Sequence, residues 1–154
     1  MASKVVTCGS CGRKNRVPAS ASGHPRCAQC KSDLPWIVDA GDADFADVVE
    51  RSSLPVLLDL WAPWCGPCRM VSPALERLAQ RYAGRVKLVK VNIDEAPQVA
   101  QRFRVQSIPT LVLLDRGRVI ERQIGAAPEP ALAQWLDRGL ARTGTGSTAS
   151  NGGR

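Results

Sequence analysis

Trp61-Ala62-Pro63-Trp64-Cys65-Gly66-Pro67-Cys68-Arg69 stands where an apolar run ends and a helical pattern begins, with two thiols at the junction. Upstream, Pro55-Val56-Leu57-Leu58-Asp59-Leu60-Trp61 is almost continuously apolar, which predicts a strand buried on both faces of a mostly parallel sheet. Downstream, Met70, Leu75, Leu78 and Tyr82 recur at roughly helical spacing among charged and polar residues. The thiols therefore belong to a strand-to-helix turn. Cys65 falls near the helix N-terminus, where unpaired N–H groups and the positive end of the macrodipole favour a thiolate. Cys68 lies one turn along the same face, within disulfide reach. Pro67 costs no helical bond in a first turn. Buried or metal-binding cysteines are the competing reading, but a zinc pair sits on a flexible knuckle, whereas a helix and two tryptophans flank this one.

Trp64-Cys65-Gly66-Pro67-Cys68 after a buried apolar strand resembles the active-site motif of the thioredoxin family, and the resemblance runs from about Trp36 to Arg142. It implies a thioredoxin fold, a central mixed sheet flanked by helices, and dithiol-disulfide exchange on disulfide-containing protein substrates. Cys65 would attack, Cys68 would resolve, and the product would be a Cys65–Cys68 disulfide. A thioredoxin reductase would restore the dithiol. The resemblance also assigns Trp61, Trp64, Gly66, Pro67, Ile108, Pro109 and Gly125 to the surface that meets substrate.

Asp59 is the anomaly in its strand, because a carboxylate among Leu57, Leu58, Leu60 and Trp61 loses its water. It reads either as a proton acceptor for the second cysteine or as an edge-strand carboxylate reaching solvent. The family carries an aspartate at the matching position, which favours the first. Lys90, an odd charge in the largely apolar run Val86 to Asp94, reads from spacing alone as a snorkelling surface residue, although the family's matching lysine lies near the buried acid. X-Pro bonds are mostly trans, so composition alone predicts a trans Ile108-Pro109 bond. The resemblance implies cis, with the Ile108 backbone pairing an extended substrate segment. Gly125 is either a close-approach glycine or an ordinary strand end.

Six cysteines form three Cys-x-x-Cys pairs. Cys8-Gly9-Ser10-Cys11, a fifteen-residue gap and Cys27-Ala28-Gln29-Cys30 have the spacing of a four-cysteine zinc ribbon holding one structural Zn2+. Too few large apolar residues accompany them to make a core, so the metal would supply folding free energy. Two disulfides are the alternative. His24 reads as an exposed loop residue rather than a ligand. A thioredoxin domain behind such cysteines is similar to the zinc-bearing branch of the family, which Arg69 and Ser107 also fit.

The 154 residues carry a net charge of +7, of which residues 1–35 hold +5 and the remainder +2. That basic excess could face nucleic acid. Four thiolates on one zinc ion carry −2, however, and Arg13, Lys14, Arg16, Arg26 and Lys31 would partly balance them, so no nucleic-acid partner is expected. Neither a long apolar span nor a signal core is present, which predicts a cytoplasmic protein without membrane contact; a monomer is expected.

The expected organisation is a zinc ribbon over 1–35, a thioredoxin domain over 36–142 and a disordered tail over 143–154. Ser32-Asp33-Leu34-Pro35 reads as a linker. Trp36-Ile37-Val38 suggests a first strand, and Asp42 or Asp44 a cap for a helix carrying Phe45, Val48 and Val49. Pro73 predicts a kink near Arg69, and Gly84 the end of that helix. Pro97 to Phe103 reads as a short helix, Leu111 to Leu114 as a strand, and Asp115-Arg116-Gly117-Arg118 as a hairpin turn to an edge strand ending at Ile124. Pro128 opens a last helix with Trp135 in the core. Two other function classes compete: a ribbon adaptor or chaperone with an incidental dithiol, and a redox sensor acting through the zinc thiolates.

Overall fold

The computed structural model describes residues 3–143. Its strands are β1 (Ser3–Thr7), β2 (Lys14–Pro18), β3 (Trp36–Asp39), β4 (Val56–Trp61), β5 (Lys87–Asn92), β6 (Thr110–Asp115) and β7 (Arg118–Ile124). Its α-helices are α1 (Gly66–Arg81), α2 (Pro97–Arg102) and α3 (Glu129–Leu140), with a π-helical turn at Ala46–Glu50. Among the described residues no helix is long and apolar enough to cross a membrane.

The apolar run becomes β4, the centre of a five-stranded sheet ordered β3-β5-β4-β6-β7. It pairs parallel with β5 and antiparallel with β6, so both edges are occupied and both faces are covered, as continuous apolarity requires. Side-chain alternation divides the core in two. Leu57, Leu88, Leu111 and Leu113 pack under α1 and α3 against Leu75, Leu78, Leu136 and Trp135. Leu58, Leu60, Val89, Val91 and Val112 face the π turn and α2, meeting Val48, Phe45 and Phe103. β7 is the half-exposed antiparallel edge that its alternation predicts.

Helix α1 runs through Pro73 to Arg81, and Gly84 follows at φ 82°. Two local expectations are corrected. Asp42 and Asp44 do not cap the segment after β3, whose N-cap, Phe45, makes no side-chain cap bond. Asp42 instead accepts the Gln98 and Val99 N–H groups at 3.1 and 2.9 Å, capping α2, while Asp44 accepts Gly41 N–H.

The hairpin β1–β2 belongs to the cysteine-bearing segment, which is not a free appendage. Val17, Ala19, Leu34 and Trp36 are each about 1% exposed and join the π-turn core. The expected linker carries one of these, Leu34, whose N–H donates to Pro25 O. Trp36 Nε1 donates to Pro18 O at 2.8 Å, Ser53 Oγ bonds Gly23 O, and the Asp33 carboxylate lies over Gly84. These contacts gather where the parallel strands begin, at the end of the sheet opposite Cys65. Lys4 to Asp39, at 3.1 Å, reaches the finishing end of edge strand β3. Thr143, expected in the tail, is buried and donates to Leu140 O; positions 144–154 lie outside the described residues.

Candidate active site and metal centre

Strand β4 ends at Trp61, four residues form a turn, and α1 opens at Gly66 with Cys65 as its N-cap. Cys65 Sγ accepts the Cys68 N–H at 3.1 Å, so the helix terminus directs a donor at the sulfur where a thiolate would carry its charge. Cys65 and Cys68 are bonded to each other with Cα atoms 5.3 Å apart. They are 5% and 3% exposed. Their cover is the small cluster of Ala62, Trp61, Ile93 and Ile108. Gly66 is half-buried and Pro67 exposed. Trp64 projects with 66% exposure, its Nε1 donating to Asp94 Oδ2 at 3.1 Å.

The Ile108-Pro109 bond is cis, as the resemblance implied against composition. Ile108 O lies 3.7 Å from Cys65 Sγ, and Pro109 O accepts the Gly125 N–H at 2.8 Å. Gly125 has φ 90°, a left-handed conformation that disfavours any side chain. The three segments expected to face substrate thus meet at one end of the sheet, beside exposed Met70 and Ile124.

Asp59 is 1% exposed, and central β4 removes the edge-strand alternative. Burial pushes its carboxyl up to about 6; the Lys90 ammonium opposes this and the Glu76 carboxylate adds to it. Asp59 and Lys90 are register partners on adjacent strands. Lys90 is not a snorkelling residue: its side chain is 14% exposed and Nζ donates to Ser72 Oγ and Glu76 Oε2. Asp59, Trp61, Cys68 and Lys90 line one cleft of about 150 Å3, so the acid and the second cysteine share a pocket. A buried carboxyl with its proton affinity raised, beside a thiol that must lose a proton, is an arrangement for general base work.

The four remaining cysteines come together. Their sulfurs all lie within 4.8 Å of one another, with Cys8 to Cys30 at 3.6 Å and Cys11 to Cys27 at 3.5 Å. A tetrahedron of metal–sulfur bonds of about 2.3 Å has edges near 3.8 Å, so the donor set fits one metal ion. Both closest pairs far exceed a disulfide bond of about 2.05 Å. Cys27 is pulled down to about 6, first by the Cys30 N–H and further by the Gln29 N–H and Asn15. Cys11 is pushed up to about 11, the lowering by the Arg13 backbone being outweighed by burial and three neighbouring thiols. A dication relieves that crowding. His24 stays outside the cluster, half-buried, with Nε2 3.0 Å from Asp33 Oδ1. Besides the Cys30 and Gln29 N–H groups, the Ser10 N–H and Asn15 Nδ2 donate to sulfur, in place of the basic side chains expected to balance the thiolates.

Sequence reasoning passed over four polar residues. Asn15, 8% exposed, ties the two knuckles by donating to Arg13 O and accepting the Ala28 N–H. Ser72 and Glu76 hold Lys90. Lys87 is wholly buried, its Nζ 2.7 Å from Val48 O and 4.1 Å from the Trp36 ring centre.

A family model described as thioredoxin matches residues 36–138. Among curated proteins, a thioredoxin of Haemophilus influenzae is 47% identical over 102 residues, covering 66% of this chain and 95% of its own length. Thioredoxin 1 of Synechococcus elongatus is 50% identical over 99 residues, covering 64% and 92%. Thioredoxin C-3 of Corynebacterium nephridii is 39% identical over 139 residues, covering 88% and 95%. That last match is longer than everything following Pro35, so it takes in part of the cysteine-bearing segment.

Proposed function

The chain belongs to the thioredoxin family and is a disulfide oxidoreductase, and we propose that its dithiol works by a division of labour between Cys65, Cys68 and Asp59. Cys65 thiolate attacks one sulfur of a target disulfide, forming a mixed disulfide and expelling the first target thiolate. Asp59 accepts the Cys68 proton, and Cys68 attacks Cys65 sulfur, expelling the second target thiolate. Two electrons leave the pair, the target gains two thiols, and the product is the Cys65–Cys68 disulfide. The observation that carries this reading is the shared cleft of Asp59 and Cys68 beside a helix N-terminus that Cys65 caps.

Lys90 tempers the acid. Trp61, Trp64, Gly66, Pro67, Pro109 and Gly125 form the docking rim, and the Ile108 backbone pairs with an extended target segment, which reads main chain rather than sequence. A thioredoxin reductase returns the electrons. The protein acts as a cytoplasmic monomer.

Cys8, Cys11, Cys27 and Cys30 hold one structural zinc ion, which ties two knuckles into a ribbon over 1–35 ahead of a thioredoxin domain over 36–142. Four protein sulfurs complete its coordination and leave no open position for substrate. The decisive experiment is reductase-coupled reduction of a protein disulfide, followed as NADPH consumption, with metal-loaded and metal-stripped protein. Equal, Cys65-dependent turnover is the expected result. A clear difference would make the ribbon a regulator of the dithiol, and absence of turnover in both states would overturn the reductase assignment.

A further inference from the structure

Lys90 is placed by register to pair with Asp59 yet bonds elsewhere. The two residues lie opposite each other on adjacent parallel strands, both pointing to the α1 side of the sheet. Strand spacing of about 4.8 Å puts an ammonium on a flexible four-carbon stem within reach of the carboxylate. Instead Lys90 Nζ donates to Ser72 Oγ at 2.5 Å and to Glu76 Oε2 at 3.0 Å. Ser72 and Glu76 sit four residues apart on α1, on one face of the helix. Asp59 Oδ1 and Trp61 Nε1, both from residues lining the cleft, are buried without a protein hydrogen-bond partner. A cleft of about 150 Å3 with such groups has room and polarity for water between Asp59 and Cys68.

We propose that Ser72 and Glu76 are positioning residues that draw the Lys90 ammonium to the α1 side of the cleft, leaving Asp59 a carboxylate basic enough to take the Cys68 proton. This rests on the reading above that Asp59 accepts that proton. A lysine in direct contact would favour the ionised carboxylate and weaken it as a base. A lysine held by α1 tempers the effect of burial without cancelling it, which agrees with a carboxyl near 6 rather than at its ordinary value. The other charged groups of this row and helix are engaged elsewhere. Asp39, next in the row on β3, is bonded to Lys4; Arg69 donates to Pro63 O at 2.5 Å; and β6 presents only Leu111.

Each substitution therefore has a fixed sign. Ser72→Ala removes a neutral acceptor, so Lys90 turns toward Asp59 and the midpoint of Asp59 protonation falls. Glu76→Gln removes an acceptor and a repelling charge, which acts in the same direction. In a Lys90→Met background Ser72→Ala has nothing to act through. The test follows the Asp59 carboxyl by its 13C shift between pH 4 and 9 in the oxidised full-length protein, where neither active-site thiol titrates. The expected result is a midpoint lowered by about one unit in Ser72→Ala, the low end of what one close opposite charge produces, and by at least as much in Glu76→Gln. The Ser72→Ala shift vanishes when Lys90 is Met. An unmoved midpoint in both single variants, or an equal Ser72→Ala shift with and without Lys90, overturns the proposal. The underlying reading is tested separately by the rate at which Asp59→Asn releases target from a mixed disulfide. An unchanged rate removes Asp59 as proton acceptor, while the midpoint shifts would still assign the placing of Lys90 to Ser72 and Glu76.

Discussion

Replacing Asp59 by asparagine should make the protein more stable at neutral pH, and the gain should depend on pH in a way that only this carboxyl explains. The folded-state pKa stands at about 6 against an ordinary value of 3.8, chiefly because burial penalises the ionised form. Between those two values the unfolded chain has lost a proton that the folded chain retains. Stability is therefore greatest below 3.8, falls as pH rises through the window, and levels off above 6. A displacement of about two units is worth roughly 3 kcal/mol, of which roughly 2 to 3 kcal/mol develops between pH 4 and pH 8. With the residue only 1% exposed, solvent screening takes little from that figure. Asparagine keeps the shape and does not titrate. The assay is urea unfolding of oxidised wild type and Asp59→Asn at pH 4, 5, 6, 7 and 8. With a slope of about 1–3 kcal/mol per molar urea, the two midpoints should draw apart by about 1–2 M from pH 4 to pH 8, the variant leading. Using the difference between proteins cancels the titration of other groups, the ribbon thiols included. A separation constant across the range would refute the burial argument, and one that shrank toward pH 8 would reverse its sign.

Two further predictions concern the seat of the ribbon. Gly84→Ala should cost about 1 kcal/mol or more, because φ is 82° and a Cβ there would lie 2.5 Å from Asp33 Oδ2; faster amide exchange across residues 24–34 with unchanged dithiol turnover is the expected readout, and unchanged exchange would dismiss the contact. Lys87→Met should stabilise the protein at pH 7 by up to about 3 kcal/mol, since burial lowers the lysine from 10.5 to about 8 and the folded state bears the full cost of its charge below that value. The advantage should shrink as pH rises from 8 toward 10, where folded wild type sheds the proton, and equal urea midpoint differences at pH 7 and pH 9.5 would refute it.

The dithiol, its strand and its helix were legible because each rests on a local pattern: continuous apolarity, a change of period, and a cap at the junction. Asp59 was legible for the same reason, as one charge in an apolar run. Lys87 was not, because a lysine at the start of a strand is read as reaching solvent, and only the sheet shows that it is covered. Lys87 and Lys90 are an odd number of residues apart, so β5 sends one to each core. Asp42 was misread because its N–H partners lie more than fifty residues away on α2, beyond any local capping pattern. The pairing of Ser72 and Glu76 with Lys90 was hidden likewise, since helix spacing puts the first two together but says nothing of which strand lies beneath. The gathering of Cys8, Cys11, Cys27 and Cys30 was legible in their spacing, whereas their hydrogen bonds, Asn15 above all, depend on how the knuckles fold back.

The run of buried side chains from Val17 through Leu34 to Trp36 and Val38 has a practical meaning for anyone dissecting this protein. A cut after Pro35 follows a border in the sequence that the packing does not respect. It would strip cover from the Trp36 indole, remove the carbonyl that indole bonds, and leave an apolar scar along edge strand β3, the kind of surface by which sheets aggregate. Loss of solubility or activity in such a truncated chain would report that wound rather than the role of the missing segment. Single substitutions at exposed Cys11 or Cys30, which leave the buried seam in place, separate the two.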